Sequence, residues 1–352
     1  MILTRVFAFA IAVLLGFSLN AQTIVSYEKP SEKEFKKAVN IVLNRTSCMP
    51  SDMDARHEAF AVIQREMNNF SSKQWKSYIA SDSDAELDSL EKNGTLYFYA
   101  KAMSKVLKQV RHSKPKRGEV FLWNLYNMGY IVKTPSQTFA VDLVHKHIDQ
   151  FAGLLDFVLI THKHTDHGSK REFDAFAAAG VDVYAGYMPE SLPENIRWNF
   201  VEDGENFKVG KVSITGRRGD HFYKGEGFKM VTTFEIDCGD DASNTVIYHT
   251  GDCRNYEQLH TEKPVDFFIF HTAVGLKIQK AIDKIQPGYA VFSHAWEMGH
   301  SVEKWRWTID DMSVRAAKIT GFPAERIILA CWGDKITVRP DDLAELRRQY
   351  KR

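Results

Sequence analysis

The stretch Thr161-His162-Lys163-His164-Thr165-Asp166-His167-Gly168 sets three histidines and a carboxylate close together, a density that packing alone does not require. Residues 154–160, Leu-Leu-Asp-Phe-Val-Leu-Ile, lead into it with the length and β-branched content of a buried strand. The cluster therefore stands where a core strand gives way to a loop. Side chains alternate faces along extended backbone, so His162 and His164 project to one side. The turn that follows can return Asp166 and His167 to the same point. The chemistry this suggests is a metal site, with two adjacent cations sharing one loop.

Upstream, the pattern changes at Gly118 from helical to period two. Segments 119–125, 129–133 and 137–143 read as three consecutive strands, with turns at Asn127-Met128-Gly129 and Pro135-Ser136. The third ends in Val141-Asp142-Leu143, an acid inside an apolar strand. Asp142 is read either as a structural hydrogen-bonding group or as a brace for the nearby histidine loop. Downstream, 170–179 suggests a helix stopped by Gly180, followed by a strand at 181–184. Short strands at 200–201, 206–209 and 211–215 precede Gly219-Asp220-His221. A hairpin of 228–237 and 244–249, turning at Gly239-Asp240-Asp241, delivers Thr250-Gly251-Asp252. A strand at 265–270, a helix at 277–285 and a strand at 289–293 then form an α/β unit that ends at His294.

Side by side, these strand ends present His162, His164, Asp166, His167, His221, Asp252 and His294. The set resembles the metallo-β-lactamase superfamily, on an H-x-H-x-D-H motif, a later histidine, a Gly-Asp at a strand end and a final histidine after another strand. Val201-Glu202-Asp203-Gly204-Glu205 and Trp332-Gly333-Asp334 also look like family features, and the contexts of Asp252 and His294 are most similar to the lactonase-like branch. The resemblance covers the chain from about Glu119 onward. It implies an α/β fold, an αββα sandwich, carrying two divalent metal ions. By that resemblance His162, His164 and His221 bind one ion, Asp166, His167 and His294 the second, and Asp252 bridges them. Imidazoles and carboxylates suit zinc, with manganese or iron where carboxylates are more numerous. Cations about 3.5–4 Å apart can share a hydroxide that attacks a carbonyl or phosphoryl centre, with Asp166 orienting it or shuttling its proton. His164 stands where oxygen-reducing diiron members carry a glutamate, so hydrolysis is expected rather than redox chemistry. Gly168-Ser169, in place of a second glycine, sets the chain apart from glyoxalase-like thiolester hydrolases and lactamases.

Isolated histidines carry less weight. His249, His260 and His271 are read as structural or exposed. Around His294, the residues Glu297, His300, Trp296, Trp305 and Trp307 either line a substrate pocket or pack beside a helix capped by Ser301.

The remainder frames this half. Residues 1–21 carry Arg5, an apolar run over 6–17 and Ala21 before a cleavage point, the pattern of a signal peptide. That run is short of the roughly 20 apolar residues that span a bilayer, so a secreted or periplasmic protein without stable membrane insertion is expected. Residues 22–116 read as a helical N-terminal region preceding the hydrolase domain at 117–352. Ser31 with Glu34, Ser71 with Gln74 and Ser83 with Glu86 fit capping boxes. A packing extension is preferred to a gating or dimerising domain, and 111–118 is taken as a solvated linker. Cys48, Cys238, Cys253 and Cys331 are too scattered for a disulfide framework and read as small buried residues. A formal net charge of +1 gives no footprint of a nucleic-acid binder and favours a small-molecule substrate.

The expected function is an exported dinuclear metal-dependent hydrolase of a lactone, ester or amide. Two alternatives stand beside it. A phosphodiesterase is favoured if Arg217, Arg218 or Lys224 meets an anionic substrate, and a non-catalytic protein would use the metal for stability alone.

Overall fold

The computed structural model describes residues 28–44, 53–222, 228–300 and 306–350. The expected signal peptide, Cys48, Lys224, Ser301 and Trp305 lie outside the described residues. Five helices come first: α1 (Glu32–Asn44), α2 (Met53–Asn68), α3 (Ser72–Ala80), α4 (Asp84–Leu90) and α5 (Gly94–His112). Ser71 and Gln74 form the full capping box of α3, while Ser83 caps α4 through its side chain alone.

Two seven-stranded sheets follow. The first holds β1 (Val120–Asn124), β2 (Tyr130–Lys133), β3 (Thr138–Val141), β4 (Phe157–Ile160), β5 (Asp182–Ala185) and β6 (Arg197–Phe200), closed at the other edge by β14 (Lys335–Val338). The second holds β7 (Asn206–Val209), β8 (Val212–Gly219), β9 (Val231–Asp237), β10 (Val246–His249), β11 (Phe267–His271), β12 (Tyr289–Ser293) and β13 (Ile327–Leu329). In each sheet one half is antiparallel and the other parallel. The sequence expectation of a strand at 200–201 lands on the last residue of β6, and β13 and β14 went unread.

The strand period sorts the side chains between layers. Val120 and Leu122 of β1 face the inter-sheet core with Phe139, Leu159, Ile214, Phe234, Ile247 and Val291. Phe121 and Trp123, one residue out of phase, face the opposite way onto Met103, Val106 and Leu107 of α5. Also on that outer face are Phe173 and Phe176 of α7 (Lys170–Ala179), which lies beyond the single turn α6 (Asp149–Ala152). The outer face of the second sheet, with Phe268, Phe270 and Phe292, is covered by Ile278 and Ile282 of α8 (Ile278–Ile285) and Met312 of α9 (Ile309–Ala316). The chain is thus an αββα sandwich. The last helix, α10 (Pro340–Tyr350), places Arg347 against the buried Asp266 at 2.7 Å.

The N-terminal helices share this outer core. Phe35, Val39, Phe60, Tyr78 and Phe98 belong to the same buried cluster as Tyr126, Trp296 and Trp332. The indole of Trp75 stacks on Tyr126 at 5.6 Å, and Trp296 donates from its ring nitrogen to Gln64 at 2.7 Å. Tyr126 in turn receives the Met298 amide at 2.9 Å. The helices therefore back the loop that follows β12. Their apolar stripes are buried in this shared cluster.

Candidate metal centre

The candidate ligands gather along one edge of the sandwich. β4 ends at Ile160 and delivers Thr161-His162; β8 delivers Asp220-His221; β10 leads through Thr250-Gly251 to Asp252; β12 ends immediately before His294. Gly251 permits the close approach between two of these ends. Its φ is +49°, and a Cβ there would lie 2.6 Å from Thr161 Oγ1 and 2.7 Å from Thr161 Cβ. A larger residue would push Asp252 away from the histidine loop.

Two sets of donor atoms result. His162, His164, His221 and Asp252 each offer one ligand atom within 4.8 Å of the others, and Asp166, His167 and His294 do the same. Asp252 connects the sets through its two oxygens. Oδ2 lies 3.3 Å from His221 Nε2 and 3.8 Å from His162 Nε2, while Oδ1 lies 3.2 Å from His167 Nε2. Across the second set, Asp166 Oδ2 is 3.4 Å from His167 Nε2 and 3.2 Å from His294 Nε2. His162 Nε2 and His164 Nδ1 converge at 3.1 Å.

These atoms fit metal ions better than they fit one another. His167 Nε2 and Asp252 Oδ1 are buried and neither makes a hydrogen bond, an expensive arrangement unless a cation satisfies both. One seat would draw three imidazoles and a carboxylate oxygen, the other two imidazoles and two carboxylate oxygens, sets that suit zinc or another divalent transition metal.

A buried acid behind the loop prepares these imidazoles. Asp142, at φ 47°, receives the Thr161 amide on Oδ1 at 2.8 Å. Its Oδ2 accepts from Thr161 Oγ1 at 2.7 Å and from His167 Nδ1 at 2.8 Å. With its proton held on Nδ1, His167 presents a lone pair at Nε2. Thr161 Oγ1, spending its own hydrogen on Asp142, is left to accept from His162 Nδ1 at 3.0 Å, which frees His162 Nε2 as well. One carboxylate thereby sets the tautomer of a candidate ligand in each of the two groups. Substituting Asp142→Asn, which keeps the backbone and loses the acceptor, is expected to weaken metal affinity about 10–100-fold in competition with a chromophoric chelator. Unchanged affinity would reduce Asp142 to a packing role.

Charge divides between the two sets: against the effect of burial, Asp252, Asp166 and Asp142 push His167 well above the ordinary imidazole value, and Asp166 and Asp252 raise His294. Burial and then the neighbouring His167 hold the His162 pKa well below the ordinary imidazole value, and burial and then His221 lower that of His164. Burial opposes ionisation of Asp166 and Asp252, yet His167 and the surrounding imidazoles keep both carboxyls well below the usual range. Burial, then the charge of Asp166, pushes Glu297 up to about 7.

Several other expectations resolve here. His249 is structural, donating to the Met128 carbonyl at 2.9 Å, and His260 is exposed. His271, read from the sequence as structural or exposed, lies at this cluster. It joins Asp252 and His294 as a third group of potential ligand atoms and stacks on the His294 ring at 3.7 Å. A solitary histidine at an apolar strand end carries no local signal of this; only the pairing of β11 with β12 brings it in.

Trp296 packs among Phe60, Phe98 and Trp332, and the helix in this region is capped by Thr308 with Asp311. Of the candidate anion contacts, Arg217 pairs with Glu262, and Arg218 donates to Thr232 Oγ1 and the Val201 carbonyl at 2.6 Å each. Neither is spent on the metal centre. Cys253 is buried, with its thiol pushed up to about 12 by burial, and behaves as a small apolar residue beside Asp252.

Residues 123–286 match the β-lactamase superfamily domain family, a span that includes every candidate ligand except His294. No curated protein matches the chain. Among solved structures, a metallo hydrolase from the archaeon Ignicoccus hospitalis aligns at 15% identity over 63% of this chain and 99% of its own, with a TM-score of 0.45. A diiron β-hydroxylase from Streptomyces venezuelae aligns at 16% identity over 64% of this chain and 55% of its own, with a TM-score of 0.46. A metallo-β-lactamase fold protein from Bacillus subtilis aligns at 12% identity over 62% and 98%, with a TM-score of 0.44.

Proposed function

We propose that the chain, whose residues 123–286 match the β-lactamase superfamily domain family, is an exported, dinuclear, zinc-dependent hydrolase acting on a lactone, ester or amide of a small molecule. The observation that carries this reading is the division of Asp252, whose two oxygens face two separate sets of imidazoles. When bound there, divalent cations supply Lewis acidity, polarising a substrate carbonyl and making water reactive near neutral pH. The chain's own residues do the rest. His162, His164 and His221 would hold one cation and Asp166, His167 and His294 the other, with Asp252 offering an oxygen to each.

Asp166 is the more open carboxylate, its side chain 21% exposed against 7% for Asp252. It is placed to orient the attacking water, take its proton and return it to the leaving group. Among the described residues, Arg217 pairs with Glu262 and Arg218 with Thr232 and Val201, so neither argues for a phosphodiester substrate. Export rests on the charge, apolar run and small residue of the N-terminal stretch. No helix among the described residues is long and apolar enough to cross a membrane.

A panel of lactone, carboxyl ester, amide and phosphodiester substrates, offered to the metal-loaded chain and to its Asp166→Ala variant, tests the proposal. Turnover of a carbonyl substrate is expected, falling about 10²–10⁴-fold in the variant. Turnover of phosphodiesters alone would favour the phosphodiesterase reading. Absence of any Asp166-dependent turnover would favour a metal-stabilised binding protein.

A further inference from the structure

His271 sits at the end of β11, 8% exposed, at the same cluster as the candidate ligands. Its Nε2 is 4.0 Å from Asp252 Oδ2. Distance alone would admit it as an additional ligand, because Asp252, His271 and His294 offer ligand atoms within 4.8 Å of one another. Its other nitrogen argues otherwise. Nδ1 accepts the Ala273 backbone amide at 2.9 Å, so Nδ1 is unprotonated and the ring proton must lie on Nε2.

This is the reverse of His167. There Nδ1 gives its hydrogen to Asp142 and leaves Nε2 free for a metal. In His271 the nitrogen aimed at the cluster is a donor, with no lone pair to offer.

The surrounding backbone holds this orientation. His271 pairs in register with Ser293 across β11 and β12, and Thr272 donates to the Ser293 carbonyl from both its amide, at 3.2 Å, and its hydroxyl, at 3.0 Å. His294 follows at φ 74°, which lays its ring flat on His271 at 3.7 Å and an interplanar angle of 9°. One of the two stacked imidazoles is aimed at the second metal seat, with Nε2 3.2 Å from Asp166 Oδ2. The other points an N–H toward the space next to Asp252. A fixed N–H beside a two-cation seat meets an electronegative atom of whatever the centre binds, and such preorganised donors favour the form carrying the greater negative charge.

We infer that His271 is a substrate-facing hydrogen-bond donor of this centre, contacting the oxygen that gains charge as the carbonyl is attacked, and is not a metal ligand. The inference rests on the hydrolase reading for its substrate, and on the His271 to Ala273 contact for its chemistry.

Two full-length variants separate the roles. His271→Phe keeps a ring to stack on His294 and removes the donor; His271→Gln restores an N–H near the position of Nε2. Metals per chain, kcat and KM on a substrate the wild type cleaves, and calorimetric binding of inorganic phosphate to the metal-loaded protein are read together. Both variants are expected to hold the wild-type metal content. In His271→Phe, phosphate should bind about 10–100-fold more weakly and kcat should fall about 10²–10³-fold, with part of each recovered in His271→Gln. Metal loss in a folded His271→Phe protein would make His271 a ligand and overturn the inference. Unchanged phosphate binding and kcat would make it packing and overturn it equally. If the wild type cleaves nothing in the substrate panel while phosphate binding still depends on His271, the hydrolase reading fails and the donor assignment stands.

Discussion

Replacing Asp252 with alanine is expected to lower the metal content from two ions per chain to one or none and to abolish turnover. Among the described residues, Asp252 is the carboxylate whose oxygens reach both sets, with Oδ2 3.3 Å from His221 Nε2 and Oδ1 3.2 Å from His167 Nε2. Its loss would leave each seat short of an oxygen and leave the imidazoles crowded without a shared counter-charge. The effect should exceed the about 10–100-fold cost of deleting an outer partner such as Asp142. Elemental analysis of the folded variant reads it directly. An Asp252→Ala protein that retained two metals and most of its activity would show that the bridging assignment is wrong.

The second large effect concerns the attachment of the helices. Arg56 of α2 donates to Asp334 Oδ1 at 2.8 Å, and both side chains are almost wholly buried. Asp334 also receives the Cys331 amide on Oδ2 at 3.0 Å, and its carbonyl accepts from Asn124 at 3.0 Å, so the acid closes the turn that leads into β14. The same turn is held from α5, where Lys105 donates to the Gly333 carbonyl at 2.8 Å. Arg56→Met would strand Asp334 in the core without its cation. Unpairing a buried ion pair in this way costs about 3–5 kcal/mol, seen as a lower denaturant midpoint. An Arg56→Met/Asp334→Asn double variant should recover part of the loss, because asparagine leaves no unpaired charge and keeps an acceptor for the Cys331 amide. A single-variant loss below about 1 kcal/mol would mean that the Arg56–Asp334 pair adds little to the docking of the helices.

How far the sequence disclosed this arrangement depends on how local each signal was. Residues 162–167 are readable because their spacing along one strand end and turn is itself the geometry. The helix at 170–179 was readable to its last residue, since Gly180, in the left-handed region at φ 67°, closes it. His221, Asp252 and His294 needed family order to be selected, because each is a single residue at a strand end. Asp142 was legible as an oddity, an acid in an apolar strand, but its contact with His167 exists only once β3 and β4 are paired.

Nothing local marked His271. Its tautomer depends on one backbone amide two residues on, and its place at the centre on the register of β11 with β12. Arg56 and Asp334 are 278 positions apart, beyond any periodicity. The helical stripes announced a buried face without naming its partner, which proved to be the loops around Tyr126 and Trp296. The short strands β13 and β14 escaped because three or four residues carry too little pattern to separate a sheet edge from a turn.

The central claim, that one carboxylate joins two complete metal seats, is tested most directly by counting metals. Purified wild-type chain, loaded with zinc and dialysed free of excess, should carry close to two ions per chain by elemental analysis. The reading requires both seats to fill, since Asp252 offers an oxygen to each. One ion or fewer per folded chain would contradict it.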